Sequence, residues 1–346
     1  MIGERPGGVS KPRGEFSAGV RRRIGRRWAQ GFDMGHFGLA GPMNANTAKL
    51  QPSLVAVVCA YNPPAIWEEV VRRLCDGPFV EVLVVDDGSM PPLRLDSSAR
   101  VLRLSANEGL AAARNSALNA IDAEWILFVD SDVVPELDWL QRLPEVVRGA
   151  SRDGVDGLGF SVQEHYRSTP WDGYRAFERD ASNPRIESEI EWISGLLTAY
   201  RTEALRAVGG FNARLRTNGE DVDIGYRLSR AGFRLRALPE IAGRHFRKDT
   251  LSSFLRMHLR YAVTARIVAR SRYFPSASRL TVTGKPVQSS IWHTAMPDLS
   301  IAGRYAMQRP SAAWLPPLVL LAKALGRIQG AAASPSEETQ PKQIGK

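Results

Sequence analysis

The sequence predicts an α/β fold: a mainly parallel sheet flanked by helices, followed by a C-terminal helical extension. Three observations carry this. Short, β-branched apolar runs recur at 54–60, 80–85 and 125–129, the pattern of strands buried on both faces. Segments of helical periodicity separate them, which implies right-handed βαβ crossovers. Each run ends in a polar cluster: Tyr61-Asn62, Asp86-Asp87-Gly88-Ser89 and Asp130-Ser131-Asp132 in turn. Open α/β sheets hold their ligands beyond the carboxyl ends of such strands.

Taken in order, the first strand stops at Tyr61-Asn62-Pro63-Pro64. Trp67, Val70, Val71 and Leu74 then fall at i, i+3, i+4 and i+7 on one helix face. A second strand leads to Asp86, and Gly88 permits a tight turn beyond it. A short strand at 101–104 and an Ala-rich helix at 110–120 precede the strand at 125–129. Past Pro135 the pattern is mixed. A strand is expected at 155–162, and 192–200 leads into a helix at 202–208 that Gly209-Gly210 breaks. A helix follows at 220–231, then a short strand at 233–237. Last comes a long basic helix at 251–270, on which Arg256, Arg260, Arg266 and Arg270 share a broad face. Residues 1–50 read as a basic, disordered extension, 51–248 as the α/β domain, 249–330 as the helical extension and 331–346 as a disordered tail.

The chain has 346 residues, 44% hydrophobic and 24% charged, enough for a folded domain with a sizeable core. Its formal net charge of +10 is uneven: residues 1–50 carry nine Lys/Arg against three Asp/Glu, a net of +6. The basic character therefore belongs mainly to a tail. A nucleic-acid module is not expected, because interleaved aromatics and reader motifs are lacking. Cys59 and Cys75 lie in apolar stretches. Two such cysteines exclude a disulfide framework or a cysteine-rich zinc site and fit a reducing, cytoplasmic setting. No secretory signal is expected, and no run reaches the ~20 apolar residues of a spanning helix. The nearest candidate, 314–322, contains Pro316 and Pro317 and precedes Lys323. It can lie on a membrane surface; it cannot cross one.

Asp130-Ser131-Asp132 places two carboxylates one residue apart beyond a buried strand, where they can share a divalent cation that also binds a diphosphate. The Asp-x-Asp pattern is common by chance, and Asp221-Val222-Asp223 repeats it. Position after a βαβ strand is what gives the first pair weight. In Asp86-Asp87-Gly88-Ser89 a carboxylate can accept hydrogen bonds from a base or ribose hydroxyl, or the cluster is a polar turn with a capping serine. Glu220-Asp221 opens a helix, where acids are stabilised by the macrodipole. Alternatively, Asp221 takes a proton from an attacking hydroxyl. His245 can complete a Mn2+ or Mg2+ shell begun by Asp132, and Arg247 and Lys248 can meet phosphate oxygens. Asn107-Glu108-Gly109 with Arg114-Asn115 offers backbone N–H groups and a cation to the same crevice.

In this order the residues resemble the family 2 glycosyltransferases, which have the Rossmann-like GT-A fold. The matching pieces are Val57-Val-Cys-Ala-Tyr-Asn62, Val84-Val-Asp-Asp-Gly-Ser89, Asn107-Glu-Gly-Leu-Ala-Ala-Ala-Arg-Asn115 and Phe128-Val-Asp-Ser-Asp132. They continue with Ser194-Gly195, Gly209-Gly-Phe211 and Gly219-Glu-Asp221, so the match spans 54–245. The resemblance implies a metal-dependent enzyme that inverts anomeric configuration in a single displacement. It implies that Tyr61, Asp87 and Arg114 hold the nucleoside of a nucleoside-diphosphate-sugar donor. Asp86 would support their loop, and Asp130 would lie near the ribose and metal. Asp132 is implied as the main protein ligand of Mn2+ or Mg2+, and His245 as the downstream metal or diphosphate histidine. Asp221 is similar to the family's catalytic base, and Glu220 beside it to a residue positioning the acceptor. That acceptor is a glycan, glycolipid or small molecule, in cell-envelope glycan, polysaccharide or glycolipid synthesis.

The Gln-x-x-Arg-Trp signature of processive synthases does not follow Asp221, so one sugar per encounter is expected. The basic helix after Leu251 lies outside the secure part of the resemblance. It raises the hypothesis of peripheral contact with the inner face of a membrane. A nucleotidyltransferase would carry a Gly-rich, basic phosphate loop where this chain has Tyr61-Asn62-Pro63-Pro64. A degenerate sugar-nucleotide-binding protein is the other alternative; the presence of Asp132, Asp221 and His245 gives it no support.

Overall fold

A computed structural model of the protein describes residues 52–216, 218–268, 281–282, 285–286 and 291–332. The expected extension at 1–50, Arg270 and the tail beyond 332 lie outside the described residues.

The α/β domain begins with β1 (Leu54–Ala60), α1 (Trp67–Cys75), β2 (Glu81–Asp86), β3 (Arg100–Arg103), α2 (Leu110–Ala120) and β4 (Trp125–Asp130). It continues through β5 (Val133–Pro135), α3 (Leu137–Arg152), β6 (Gly157–Glu164), α4 (Pro170–Ser182), β7 (Ser188–Ile190) and β8 (Leu197–Arg201). Then come α5 (Thr202–Ala207), α6 (Glu220–Arg230), β9 (Leu235–His245) and α7 (Leu251–Val268). A short antiparallel pair, β10 (Thr281–Val282) with β11 (Lys285–Pro286), precedes α8 (Ile291–Gln308) and α9 (Leu315–Ala332).

One sheet takes its strands in the order β3-β2-β1-β4-β8-β6-β9-β5, with β7 on β9. The four strands β3, β2, β1 and β4 are parallel. Beyond them the sheet is mixed: β8 runs antiparallel to β4 and β6, while β9 is parallel to β6 and antiparallel to β5 and β7. The parallel sheet read from the sequence is thus the half that carries the first three polar clusters.

Alternation along β1 explains why its run is apolar throughout. Leu54, Ala56 and Val58 pack in one layer with Trp67, Val71 and Leu74 of α1 and with Leu140 and Leu143 of α3. Val55 and Val57 pack on the opposite face with Ala113 and Ala117 of α2 and Ile224 and Leu228 of α6. The sequence pattern does not predict α3, which carries Pro144 in its interior. An interior proline costs about 3 kcal/mol. Burial of Trp139, Leu140, Leu143 and Val147, at about 1.5–3 kcal/mol for each large side chain, outweighs it. The start of α4 is fixed by Thr169, whose hydroxyl accepts from the Asp172 amide at 3.1 Å, with Pro170 in the first turn.

The short strand expected at 233–237 is instead the first part of an 11-residue β9. Phe160 pairs with Leu238 but Ser161 with Ile241, so Pro239 and Glu240 sit in a bulge. A proline lacks the N–H a ladder needs, and the bulge removes the need for it. His245 therefore ends a strand rather than standing in a loop. On the C-terminal side, α4, α7, α8 and α9 enclose a separate core of Tyr174, Phe254, Met257, Tyr305, Leu315 and Val319. Among the described residues no helix is long and apolar enough to cross a membrane.

Candidate active site

β1 pairs in register with both neighbours, Ala60 opposite Asp86 and Cys59 opposite Asp130. The chain therefore leaves β1, β2 and β4 at one level, and the crevice opens there. Tyr61, half exposed, follows β1 directly. The loop after β1 is tied to the loop after β2: the Asn62 amide donates to Ser89 Oγ at 2.9 Å and the Met90 amide to Asn62 Oδ1 at 2.9 Å.

Asp86 is fully buried, and its oxygens accept from the Ser89 amide (2.8 Å), the Leu93 amide (3.1 Å) and the Arg103 guanidinium. Its carboxylate is thereby engaged within the loop that follows β2. Asp87 accepts from the Glu108 amide at 2.7 Å and the Gly109 amide at 2.9 Å, and the Leu110 amide donates to the Arg216 carbonyl at 3.1 Å. These three N–H groups at the head of α2 are therefore consumed inside the protein, as in an ordinary loop-to-helix junction. Gly88 (φ +76°) makes this approach possible, since a Cβ there would lie 2.5 Å from the Ala106 carbonyl carbon.

Arg114 of α2 is the hub of the crevice floor. Its guanidinium donates to Glu220 Oε1 at 3.0 Å, Asp130 Oδ1 at 3.1 Å and the Gly195 carbonyl at 2.9 Å. The same group sits 5.5 Å from the ring centroids of both Phe128 and Phe211. Asn115 holds Phe211 in place through paired backbone bonds of 2.8 and 2.7 Å, which gives the Gly209-Gly-Phe211 motif a structural role. Burial raises the Asp130 pKa, and the nearby Arg114 only partly offsets it.

The second centre joins the ends of β4, β6 and β9. His245 pairs with Val133 on one side and Glu164 on the other. Its Nδ1 meets Glu164 Oε1 at 2.9 Å, and its Nε2 lies 3.3 Å from Asp132 Oδ2. Burial alone would lower the His245 pKa; bonds to the two carboxylates outweigh it and raise it to about 9. Burial likewise opposes ionisation of Glu164, but His245 and Arg175 bring its pKa down to about 2. Arg175 Nε donates to Glu164 Oε2 at 3.0 Å and anchors the pair to α4. Arg247 and Lys248, expected to meet phosphate, have partners already. Arg247 donates to Asp249 at 2.9 Å, and Lys248 Nζ lies 4.6 Å from the Tyr166 ring centroid.

Glu220 and Asp221 open α6 after Gly219, whose left-handed backbone (φ +83°) lets the chain turn into the helix. They face different surroundings. Glu220 is buried, its Oε1 held by Arg114 and its Oε2 without a hydrogen-bond partner. Burial raises its pKa to about 7, with the Asp221 charge adding to the effect. Asp221 is half exposed and accepts from the Gly195 amide at 3.0 Å and the Val222 amide at 2.8 Å. A Cβ at Gly195 would lie 3.1 Å from the Arg114 nitrogens and 3.3 Å from Asp221 Cβ, so this glycine fits closely between Arg114 and Asp221.

The structure therefore brings Arg114, Asp130, Glu220 and Asp221 into one network and Asp132 with His245 into another. Glu164, Arg175 and Arg103 escaped the sequence reading. For Glu164 the available signal was an isolated acid ending a run of buried strand residues.

Residues 55–209 match the model of glycosyl transferase family 2, and residues 186–303 that of glycosyl transferase family 21. The pre-mycofactocin glycosyltransferase of Mycobacterium tuberculosis is 30% identical over 225 residues, which cover 59% of this chain and 45% of that protein. An N-acetylglucosaminyltransferase of Azorhizobium caulinodans is 25% identical over 266 residues, covering 69% of this chain and 64% of that protein. The chain thus spans about half to two thirds of the length of these curated relatives. Among solved structures, a mannosyltransferase from Pyrobaculum calidifontis in complex with GDP-Man and Mn2+ is similar at 19% identity and a TM-score of 0.45, covering 82% of this chain and 76% of that one. With its polar motifs in order and gathered at the carboxyl ends of one parallel half-sheet, the segment 55–209 of this chain is similar to glycosyl transferase family 2 in sequence and in the placing of those residues.

Proposed function

We propose that the protein transfers a single sugar, with inversion, from a nucleoside-diphosphate sugar to an acceptor hydroxyl. The observation that carries this reading is the pairing of Asp132 with His245, 3.3 Å apart beyond β4 and at the end of β9, with Asp130 within electrostatic reach of both and of the partly buried Asp221.

Among the described residues no group of three or more His, Cys, Asp or Glu is placed to hold an ion by itself. The donor set nonetheless fits a cation that arrives with its substrate, since Mg2+ commonly takes one or two protein ligands and completes its shell with phosphate oxygens and water. Glu164 on Nδ1 turns His245 Nε2 toward Asp132, the orientation that carboxylates impose on metal-ligating imidazoles. Asp132 and His245 would hold Mn2+ or Mg2+, which supplies neutralisation of the charge on the departing diphosphate.

The remaining work belongs to the chain's own groups. Tyr61 and Asp87 line the nucleoside side, and Arg114 fixes Asp130 next to it. Asp221 Oδ accepts the proton of the acceptor hydroxyl as that oxygen attacks the anomeric carbon, and the bond to the diphosphate oxygen breaks on the opposite face. The Gly195 amide holds Asp221 in place, and the unpartnered Glu220 Oε2 is available to a substrate hydroxyl on the acceptor side.

Thermal unfolding with UDP-, dTDP- and GDP-sugars, in Mn2+, Mg2+ or EDTA, tests this. A ligand at 100 times its dissociation constant adds about 2.7 kcal/mol of stability. One nucleotide sugar should stabilise the wild type in a metal-dependent way and leave Asp132→Ala unmoved. A well-folded sample that responds to none of them would sink the reading.

A further inference from the structure

Helix α9 is apolar nearly all round, so hydrophobic pattern alone does not decide which side turns inward. Two packing features do. A Cβ at Gly326 would lie 2.3 Å from the Leu259 carbonyl oxygen, and one at Gly330 2.7 Å from that of Val263. The two helices α7 and α9 thus touch backbone to backbone along that side. Lys323 then reaches Glu178 and Asp298 at 2.9 Å each, and Arg327 reaches Asp298 at 2.5 Å.

The cations of α9 are thereby committed to acids of α4 and α8, and its leucines are left outside. Leu318, Leu321, Leu325 and Ile328 recur at i, i+3, i+7 and i+10 with Leu321 57% and Ile328 67% exposed. Trp314 (46%) and Met307 (75%) are also exposed, between α8 and α9 and at the end of α8. A contiguous apolar face of this kind marks an interaction site. Its surroundings say which partner. Neither α7 nor α9 contains a single Asp or Glu. Arg256 and Arg260 are exposed on α7, which packs along α9, and Arg304 and Arg309 are exposed on α8 and just after it.

We propose that this face of α9 seats the protein on an anionic lipid surface, the helix lying in the interface plane with the arginines at the headgroups. A second copy of the chain fits less well, because pairing the faces would bring like-charged rims together. The basic helix α7, for which the sequence raised the hypothesis of membrane contact, then contributes the charged rim, and the run 314–322, read as able to lie on a membrane surface, forms part of the inserted face. The docking does not depend on which sugar the enzyme transfers.

Flotation of the full-length protein with phosphatidylcholine vesicles, with and without phosphatidylglycerol, tests the proposal. The wild type should float with the anionic vesicles, and Leu321→Glu/Leu325→Glu should lose about tenfold in bound fraction at an unchanged thermal midpoint. The uncharged pair Leu318→Ser/Ile328→Ser serves as a second disruption should the first fail to fold. Arg304→Glu/Arg309→Glu should remove the preference for anionic vesicles. Wild type that floats with neither vesicle, or substituted protein that floats as well as wild type, would overturn the proposal. So would a wild-type dimer, seen by light scattering, that the leucine substitutions dissociate.

Discussion

Arg114 and Glu220, 106 positions apart in the chain, form an ion pair at 3.0 Å with both side chains buried. The same guanidinium serves Asp130 and the Gly195 carbonyl. Removing it leaves two carboxylates without their counter-charge. Breaking a buried pair in this way is expected to cost about 3–5 kcal/mol. Arg114→Ala should lose that much in urea unfolding, and Arg114→Lys should recover only part, since one ammonium cannot reproduce the planar fork. A loss below about 1 kcal/mol, the level of an exposed pair, would show that the network is not structural.

Gly219 offers a test of backbone geometry with a built-in rescue. Its φ of +83° disfavours any residue with a Cβ, and a Cβ there would lie 2.2 Å from Thr264 Cγ2. Gly219→Ala should destabilise through both effects, the backbone part costing about 1–2 kcal/mol. Adding Thr264→Ser deletes the clashing methyl and keeps the hydroxyl that donates to Asn218 Oδ1 at 3.0 Å. Thermal midpoints should therefore show partial recovery in the double variant; equal midpoints for the two would refute the clash.

His258 makes acid stability predictable in sign. It lies among Tyr174, Phe254 and Glu178. Burial first, then the charges of Lys323 and Arg247, bring its pKa down from 6.5 to about 3. Glu178, 3.4 Å away, is already committed to Lys323 at 2.9 Å. The unfolded state then binds the extra proton below pH ~6.5, so this contribution is complete above that pH and is lost as pH falls toward 3. The limiting slope is about 1.4 kcal/mol per pH unit. Urea midpoints of wild type and His258→Leu between pH 4 and 7 should converge as pH rises and separate in acid, wild type losing more. Parallel curves would refute the assignment.

Glu164 touches no substrate atom in the proposed mechanism yet orients His245. Glu164→Gln keeps the shape and leaves Arg175 its bonds to Asp172 and Asp249. Loss of such a supporting carboxylate should weaken Mn2+ binding by about 10–100-fold. Titration of Mn2+ by electron paramagnetic resonance, in the presence of the nucleotide sugar, reads this directly. Unchanged Mn2+ affinity at an intact thermal midpoint would remove Glu164 from the site.

Asp221→Asn separates chemistry from binding. If Asp221 is the base, kcat should fall by about 10²–10⁴-fold while the donor-induced thermal shift persists. Loss of both together would mean that Asp221 holds the donor instead.

Local pattern carried a large part of this molecule. The runs that became β1, β2 and β4 announce themselves because a strand buried on both faces has no polar position to interrupt it. The head of α6 and the whole of α2 are legible from punctuation, Gly109 and Gly219 before them and the ends of periodicity after. The order of polar clusters along the chain was enough to show the resemblance to the family 2 glycosyltransferases, whose model matches residues 55–209. Where Pro144 and Pro239 stand, the same reasoning broke down, because tertiary burial in α3 and a bulge in β9 absorbed what a local rule reads as a stop.

The sequence by itself determined the elements of the parallel half-sheet and the residue types at their carboxyl ends, since both follow from short-range periodicity. Only the tertiary structure decided their partners. Glu164 meets His245 because β6 and β9 lie side by side. The Glu108, Gly109 and Leu110 amides at the head of α2 are taken because Asp87 and the Arg216 carbonyl reach them. The apolar face of α9 points outward because Gly326, Gly330, Lys323 and Arg327 hold the opposite side. These are contacts between segments far apart in sequence. Each depends on strand pairing and helix rotation, which a one-dimensional pattern does not encode.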